Sequence, residues 1–296
     1  MWTFLWVADA AVAEGQAIRE ARLAVTRNPK SAAAHQLLGQ AYLASNRIEL
    51  IAEAQAEFRQ ALDLDPTLLW ARFYLAKIYF DLGRHERAKA ELERGLQGRP
   101  NVPHFLSLLG EVHRRLGGAE RSIELNRQAL AADPAMTPAH YYLALALLDL
   151  KREAEATSEL ERAVQSKFVI PEMYVTLGEI LVGQRRLVEA AALYRQAMAL
   201  DSARPEAHLK MAELHRLQGA PDRALEELKL AAPDARGTLS TEYFQRLQAD
   251  FHYQTGHAYE DKGRIEAAIQ AYTKALDVFP DHVAARRRLA LIAKAP

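Results

Sequence analysis

The sequence predicts an all-α solenoid of about eight stacked helix pairs, closed by a C-terminal helix. Three observations predict it. Prolines supply a ruler: Pro66, Pro100 and Pro134 lie 34 residues apart, and each follows a similar run, FRQALDLDP, LERGLQGRP and NRQALAADP. The run returns as ARLAVTRNP at Pro29 and YTKALDVFP at Pro280. A second element sits earlier in each period, as HQLLGQAY from His35, FLSLLGEVH from Phe105, YVTLGEIL from Tyr174 and YQTGHAY from Tyr253. Within each period the apolar residues recur at helical spacing. Self-similarity at such a period marks a repeat architecture, in which no unit buries its apolar face alone.

Aligned, the copies share one pattern. A bulky residue stands fourth, Leu seventh, Gly or Ala eighth, Tyr or a similar side chain eleventh and often Gly fifteenth. Ala is twentieth, a large residue twenty-fourth, Ala twenty-seventh and Pro thirty-second. The third copy reads Leu75, Ala76, Tyr79, Gly83, Ala88, Leu92, Gly95 and Pro100; the last reads His252, Gly256, Tyr259, Gly263, Ala268, Tyr272, Ala275 and Pro280. The fourth, seventh, eighth and eleventh places fall on one helical face, and the twentieth, twenty-fourth and twenty-seventh on the face of a second helix. The eighth and twentieth are small because the two helices cross there, at the short end of the ~8–10 Å range of axial distances. Gly at the fifteenth suits the left-handed residue that ends the first helix. Pro at the thirty-second ends the second helix and can open the next.

This pattern closely resembles the tetratricopeptide repeat family over nearly the whole chain. The resemblance implies a right-handed α-α superhelix forming a single domain over 1–296. Its repeats fall at about 32–68, 69–102, 103–136, 137–170, 171–204, 205–238 and 249–282. A partial repeat precedes them at 1–31, and a capping helix follows at 283–296. Three departures stand out. The copy at 32–68 carries three extra residues around Leu50-Ile51-Ala52, and Phe168 and Ser202 replace two closing prolines. An insertion at 239–248 lies in GTLSTEYFQRLQ, where Ser240 or Thr241 can cap a helix running on into ADFHYQTGHAY, after a loop at 233–238.

Composition excludes several function classes. Lys plus Arg and Asp plus Glu number 38 each, so the formal charge is zero and no basic excess points to nucleic acid or an anionic membrane. The absence of cysteine removes disulfides, thiol nucleophiles and cysteine metal sites, and leaves the compartment open. The apolar start MWTFLWVADAAVAEG is short, is interrupted by Asp9 and has no preceding basic residue, so it reads as a structural helix rather than a targeting or spanning segment. No phosphate loop, dinucleotide fingerprint, zinc helix or nucleophile elbow is present. Six of the ten histidines are explained by the repeat: His35, His140, His208 and His252 at the fourth place, a core-edge slot, and His113 and His215 at the eleventh. No metal or cofactor is expected, and the protein is expected not to be an enzyme.

The resemblance further implies that the second, fifth, ninth and twelfth places of each first helix line a concave groove. These lie on one stripe of a helix. The expected groove residues are Trp70, Phe73, Lys77 and Phe80, then His104, Glu111 and Arg114. Tyr141 and Leu145, Glu179, Glu213 and Arg216, and Tyr253 follow. Ser107, Val175 and Leu209 fall on the same stripe. The middle of the stripe is aromatic and apolar and its C-terminal part acidic, a mixture that suits a protein-binding surface. Family members that clamp a chaperone's C-terminal carboxylate use Lys fifth and Asn ninth; neither stands in those slots here, so that role is disfavoured. The expectation is a scaffold that binds a peptide or partner helix in the groove. Trp70, Phe73, Phe80 and Tyr141 are its anchors, with no nucleic acid and no membrane insertion. Two alternatives stay open: a substrate-recognition segment of a larger enzyme or assembly, and weak self-association through Trp2, Phe4 and Trp6 at the N-terminal edge.

Overall fold

The computed structural model describes the backbone of residues 3–45, 47–201, 205–230 and 241–293, and the side chains within them except those of 3–14, 241–244 and 247. Trp2, Ser240 and the 233–238 loop, and the side chains of Phe4 and Trp6, therefore lie outside what is described. Among those described, the chain is all-α, with no strand.

Two compact halves follow one another, Met1–Arg152 and Glu153–Pro296. The first holds α1 (Thr3–Arg27), α2 (Ala32–Ala44), α3 (Ile51–Leu64), α4 (Leu69–Asp81), α5 (His85–Leu96), α6 (Pro103–Arg115), α7 (Ala119–Ala132) and α8 (Thr137–Asp149). The second holds α9 (Glu153–Val164), α10 (Pro171–Gly183), α11 (Leu187–Leu200), α12 (Pro205–Leu217), α13 (Pro221–Leu230), α14 (Thr241–Asp261), α15 (Ile265–Val278) and α16 (Val283–Ile292). The extra residues of the copy at 32–68 form a 3₁₀ turn, Ile48–Leu50, that leads into α3. At 21 residues, α14 outruns the other first helices of its half, each of 13.

Within each half, the helix pairs nest at the small residues. Ala76, Ala88, Ala144, Ala190, Ala268 and Ala275 have no exposed surface. The eighth place is matched in size to the twenty-fourth. Gly39 faces Phe58, Gly178 faces Tyr194 and Gly256 faces Tyr272; a Cβ on Gly39 or Gly256 would meet the opposing ring at 2.9 and 2.5 Å. Copies with Leu92 or Leu228 at the twenty-fourth place carry Ala76 or Ala212 at the eighth. The three rings are essentially fully buried, and each contributes roughly 1.5–3 kcal/mol of hydrophobic stabilisation. Gly110 opposes a polar partner, Asn126, whose amide nitrogen donates to the Ser122 carbonyl at 2.9 Å, while its buried Oδ1 finds no donor among the described residues.

From α4 onward, the turn within each pair uses a left-handed residue. Gly83, Gly117, Gly219 and Gly263 take it, but so do Lys151 at φ 60° and Arg185 at φ 61°, where a side chain is strained. Turns between pairs are held by the fourth place of the incoming helix. Arg72 donates to Glu91 at 2.6 Å and to the Pro66 carbonyl at 2.9 Å. His35 stands in the same geometry, with ring nitrogens 2.6 Å from Glu57 and 3.0 Å from the Pro29 carbonyl. His208 meets Glu227 at 2.8 Å. Like Arg72, His35 clasps one pair to the preceding turn, and His140 does so through the Pro134 carbonyl at 3.1 Å, while His208 is buried in the same core-edge slot.

Candidate functional site

In the first half, α4, α6 and α8 carry the predicted stripe. Trp70 is 41% exposed. Its indole meets Phe73 edge-on at 5.6 Å and His104 at 5.3 Å, so the three rings form one ledge along α4 and the start of α6. Phe73 is half-buried and anchored below by Phe105 at 5.4 Å, a ring with no exposed surface. Such T-shaped contacts fix ring orientation and add ~0.5–1.5 kcal/mol per pair beyond area burial. A ledge with a rigid base and an exposed crest is preorganised for a partner side chain.

One helix turn from the ledge and beyond, the stripe changes character. Lys77 is exposed and paired with Asp81 at 2.7 Å. Phe80 is half-buried and covered, with the Arg115 guanidinium 5.9 Å above its ring and His85 5.4 Å away. Glu111 departs from the predicted solvent-facing slot, being 1% exposed. Its two oxygens accept from Arg114 Nε at 2.7 Å, Arg114 Nη2 at 2.8 Å and Arg115 Nε at 2.7 Å. Arg114 also donates to Asp149 at 3.1 Å. These bonds to Glu111 hold the Arg114 guanidinium well above its ordinary range. Burial raises the neighbouring Tyr142 hydroxyl, and the Glu111 charge pushes it the same way. Glu111 is therefore a buried organiser of two arginines and not a partner contact. Ser107, one turn earlier, is sealed too, at 1%. Tyr141 and Leu145 are half-buried on α8; Tyr141 lies 5.9 Å from Tyr142, outside the Trp70 ledge.

In the second half the stripe runs along α10, α12 and α14. Val175 and Leu209 are 8% and 7% exposed, so their apolar slots are closed by packing within this half. What remains open is charged. Lys210, at a place outside the predicted stripe, lies 2.5 Å from Glu179 and 3.9 Å from Glu213. Burial works against the Lys210 charge, but Glu179, Glu213 and Asp250 outweigh it and hold the ammonium above its usual range. Arg216 reaches Asp261 at 3.4 Å. Tyr253 packs edge-on to His257 at 4.7 Å, with the His257 ring 2.9 Å from its hydroxyl, and lies 5.1 Å from His282. Glu260 accepts from Arg288 at 2.6 and 2.8 Å and from Tyr272 at 2.7 Å. Burial favours the neutral form of Glu260, yet these bonds hold its carboxyl below the ordinary range.

Sequence reasoning missed Arg115 and Lys210. Each stands one place beyond a stripe residue, and for Lys210 only the neighbouring helix shows where the side chain goes. A signal existed for Arg115, which lies four residues after Glu111 and so shares its helical face. The described residues hold no group of three or more His, Asp or Glu side chains placed to bind a metal. No helix of the described residues is long and apolar enough to cross a membrane.

Models of the tetratricopeptide repeat match residues 32–68, 51–112, 108–167, 181–251 and 249–282. Cellulose synthase operon protein C of Pseudomonas fluorescens is 45% identical over 64 residues, which is 22% of this chain and 5% of that protein. Anaphase-promoting complex subunit 3 of Schizosaccharomyces pombe is 23% identical over 189 residues, 63% of this chain and 28% of that one. The chain thus spans well under a third of these curated relatives. Among solved structures, the Cut9–Hcn1 tetramer of the APC/C aligns with a TM-score of 0.71 at 16% identity, covering 90% of this chain and 50% of that one. PilW, a type IV pilus biogenesis factor, aligns at 0.63 and 20% identity, covering 75% of this chain and 98% of that one. At these identities the likeness is one of fold.

Proposed function

The chain belongs to the tetratricopeptide repeat family, and from that premise we propose that it is a non-catalytic scaffold whose first half captures a partner protein on the α4–α6 ledge. The fold supports a protein-interaction role in general. The ledge supports the finer reading, because Trp70 keeps 41% of its surface open while its neighbours hold the ring still. An exposed aromatic with a rigid base is the kind of residue that dominates binding energy at interfaces. Tyr141 and Leu145 extend the surface along α8, and Glu179, Glu213, Arg216 and Tyr253 offer a second, charged surface in the other half. The occupant in this reading is an extended peptide or a partner helix.

The experiment is selection of peptides from a displayed random library on the intact chain, followed by binding of the selected peptides to the Trp70→Ala/Phe73→Ala double variant. The reading expects at least a tenfold loss of affinity with an unchanged helical circular dichroism spectrum. Unchanged affinity in a folded variant rejects the ledge as the site.

A further inference from the structure

Arg115 is the one arginine of the Glu111 cluster that is not fully engaged. Arg114 spends all three of its nitrogens, two on Glu111 and one on Asp149. Arg115 donates only Nε, to Glu111. Its side chain is 52% exposed, and the guanidinium lies over the Phe80 ring. Among the described residues both terminal nitrogens are left without an acceptor, although the group is held from two sides: a buried carboxylate on α6 and an aromatic face on α4. A guanidinium fixed through Nε presents its outer edge, two parallel N–H donors matched to a carboxylate.

The ledge and this edge lie on the same pair of helices. Phe73 and Phe80 are seven residues apart on α4, about 10 Å along the axis. An extended chain covers that distance in about three residues.

We infer that the first half recognises an extended partner segment with an aromatic or large apolar residue on the Trp70–Phe73–His104 ledge and an acidic residue about three positions away on Arg115. This deepens the groove reading above and rests on it. Glu111 then acts as a positioning residue: it touches no partner, but it holds Arg115 in the orientation that reads the carboxylate. A helical segment does not fit the same rule, since it needs about seven residues to cover the distance.

The test uses the intact chain and two synthetic peptides with a shared flank, one containing Trp-Ala-Ala-Glu and one Trp-Ala-Ala-Gln. Fluorescence anisotropy gives the ratio of their affinities. The wild type is expected to prefer the Glu peptide by about tenfold, the usual worth of a charge-assisted hydrogen bond. Arg115→Gln, a change at a half-exposed site, should bind both peptides alike at the level of the Gln peptide. Glu111→Gln should lower the ratio in the same direction, a readout that a merely structural role would leave unmoved. Trp70→Ala/Phe73→Ala should weaken both peptides together. Equal affinities in the wild type, or a preference that persists in Arg115→Gln, overturn the inference while the ledge stands. Binding that survives loss of Trp70 and Phe73 overturns the ledge, and the inference with it.

Discussion

The two halves of the chain use one helix frame for opposite surfaces. In Met1–Arg152 the stripe places Trp70 and His104 in the open and sinks its carboxylate, Glu111, to 1% exposure between two arginines. In Glu153–Pro296 the apolar members, Val175 and Leu209, are sunk, while two carboxylates, Glu179 and Asp250, stay open at 45% and 59% side-chain exposure. The frame fixes where a slot lies along the helix. Whether that slot faces solvent depends on the size and charge of side chains on the next helix, and so the same register yields an aromatic ledge in one half and an ion-pair lattice in the other.

The largest effects should fall where the halves are alike. Ala88→Glu in the first half and Ala190→Glu in the second each put a charge at a fully buried helix crossing. Each is expected to cost on the order of 3 kcal/mol or more, by overpacking and an unpaired buried charge. Chemical denaturation followed by circular dichroism measures it; a variant melting like the parent would show that the crossing lies elsewhere. The next effect separates the halves. Glu111→Gln strips two arginines of a buried partner and should cost about 2 kcal/mol. Glu179→Gln removes an exposed pair with Lys210 and should cost under about 0.5 kcal/mol. Equal losses would erase the distinction between a sealed and an open carboxylate.

A smaller effect returns to a shared feature. Lys151 and Arg185 hold left-handed turns that glycine holds elsewhere. Lys151→Gly and Arg185→Gly should each stabilise by about 0.5–1 kcal/mol, visible as a raised melting temperature. The smallest is a pH dependence. Burial lowers the protonation range of His85 and His113 in the first half, and of His252 and His257 in the second, with nearby cations adding to it. Unfolded, these rings take up a proton near pH 6.5. The stability they contribute is therefore complete above about pH 6.5 and falls as pH drops through that value. Glu260, held below its ordinary range, contributes stability that is complete above about pH 4.3 and lost on further acidification. His257→Gln should flatten the melting-temperature profile just below pH 6.5, and Glu260→Gln the limb below about pH 4.

Much of the fold was legible in the residues. Small side chains at the eighth and twentieth places announced the helix crossings, and His35, His140 and His208 sat at the predicted core edge because each helix repeats the same register. The tuning of Gly39, Gly178 and Gly256 to the aromatic rings opposite them needed the partner helix in view. The candidate site was legible only in part. Trp70, Phe73 and His104 could be placed on one stripe, but the ring contacts of His104 with Trp70 and Phe73 run between helices. Glu111 looked open on the stripe alone, although Arg114 and Arg115, three and four residues further along the same helix, fold over it. Lys210 lay outside the stripe for the same reason: a long flexible side chain reaches across to a neighbouring helix, and its destination is set by charge and not by register.

The most direct measurement isolates Trp70. The chain has three tryptophans, so Trp2→Phe/Trp6→Phe leaves Trp70 as the sole indole reporter. On addition of a library-selected peptide without tryptophan, Trp70 emission should shift to shorter wavelength and its quenching by acrylamide should fall, as the exposed crest of the ledge becomes covered. Saturable peptide binding that leaves both the emission and the quenching of Trp70 unchanged would contradict the account.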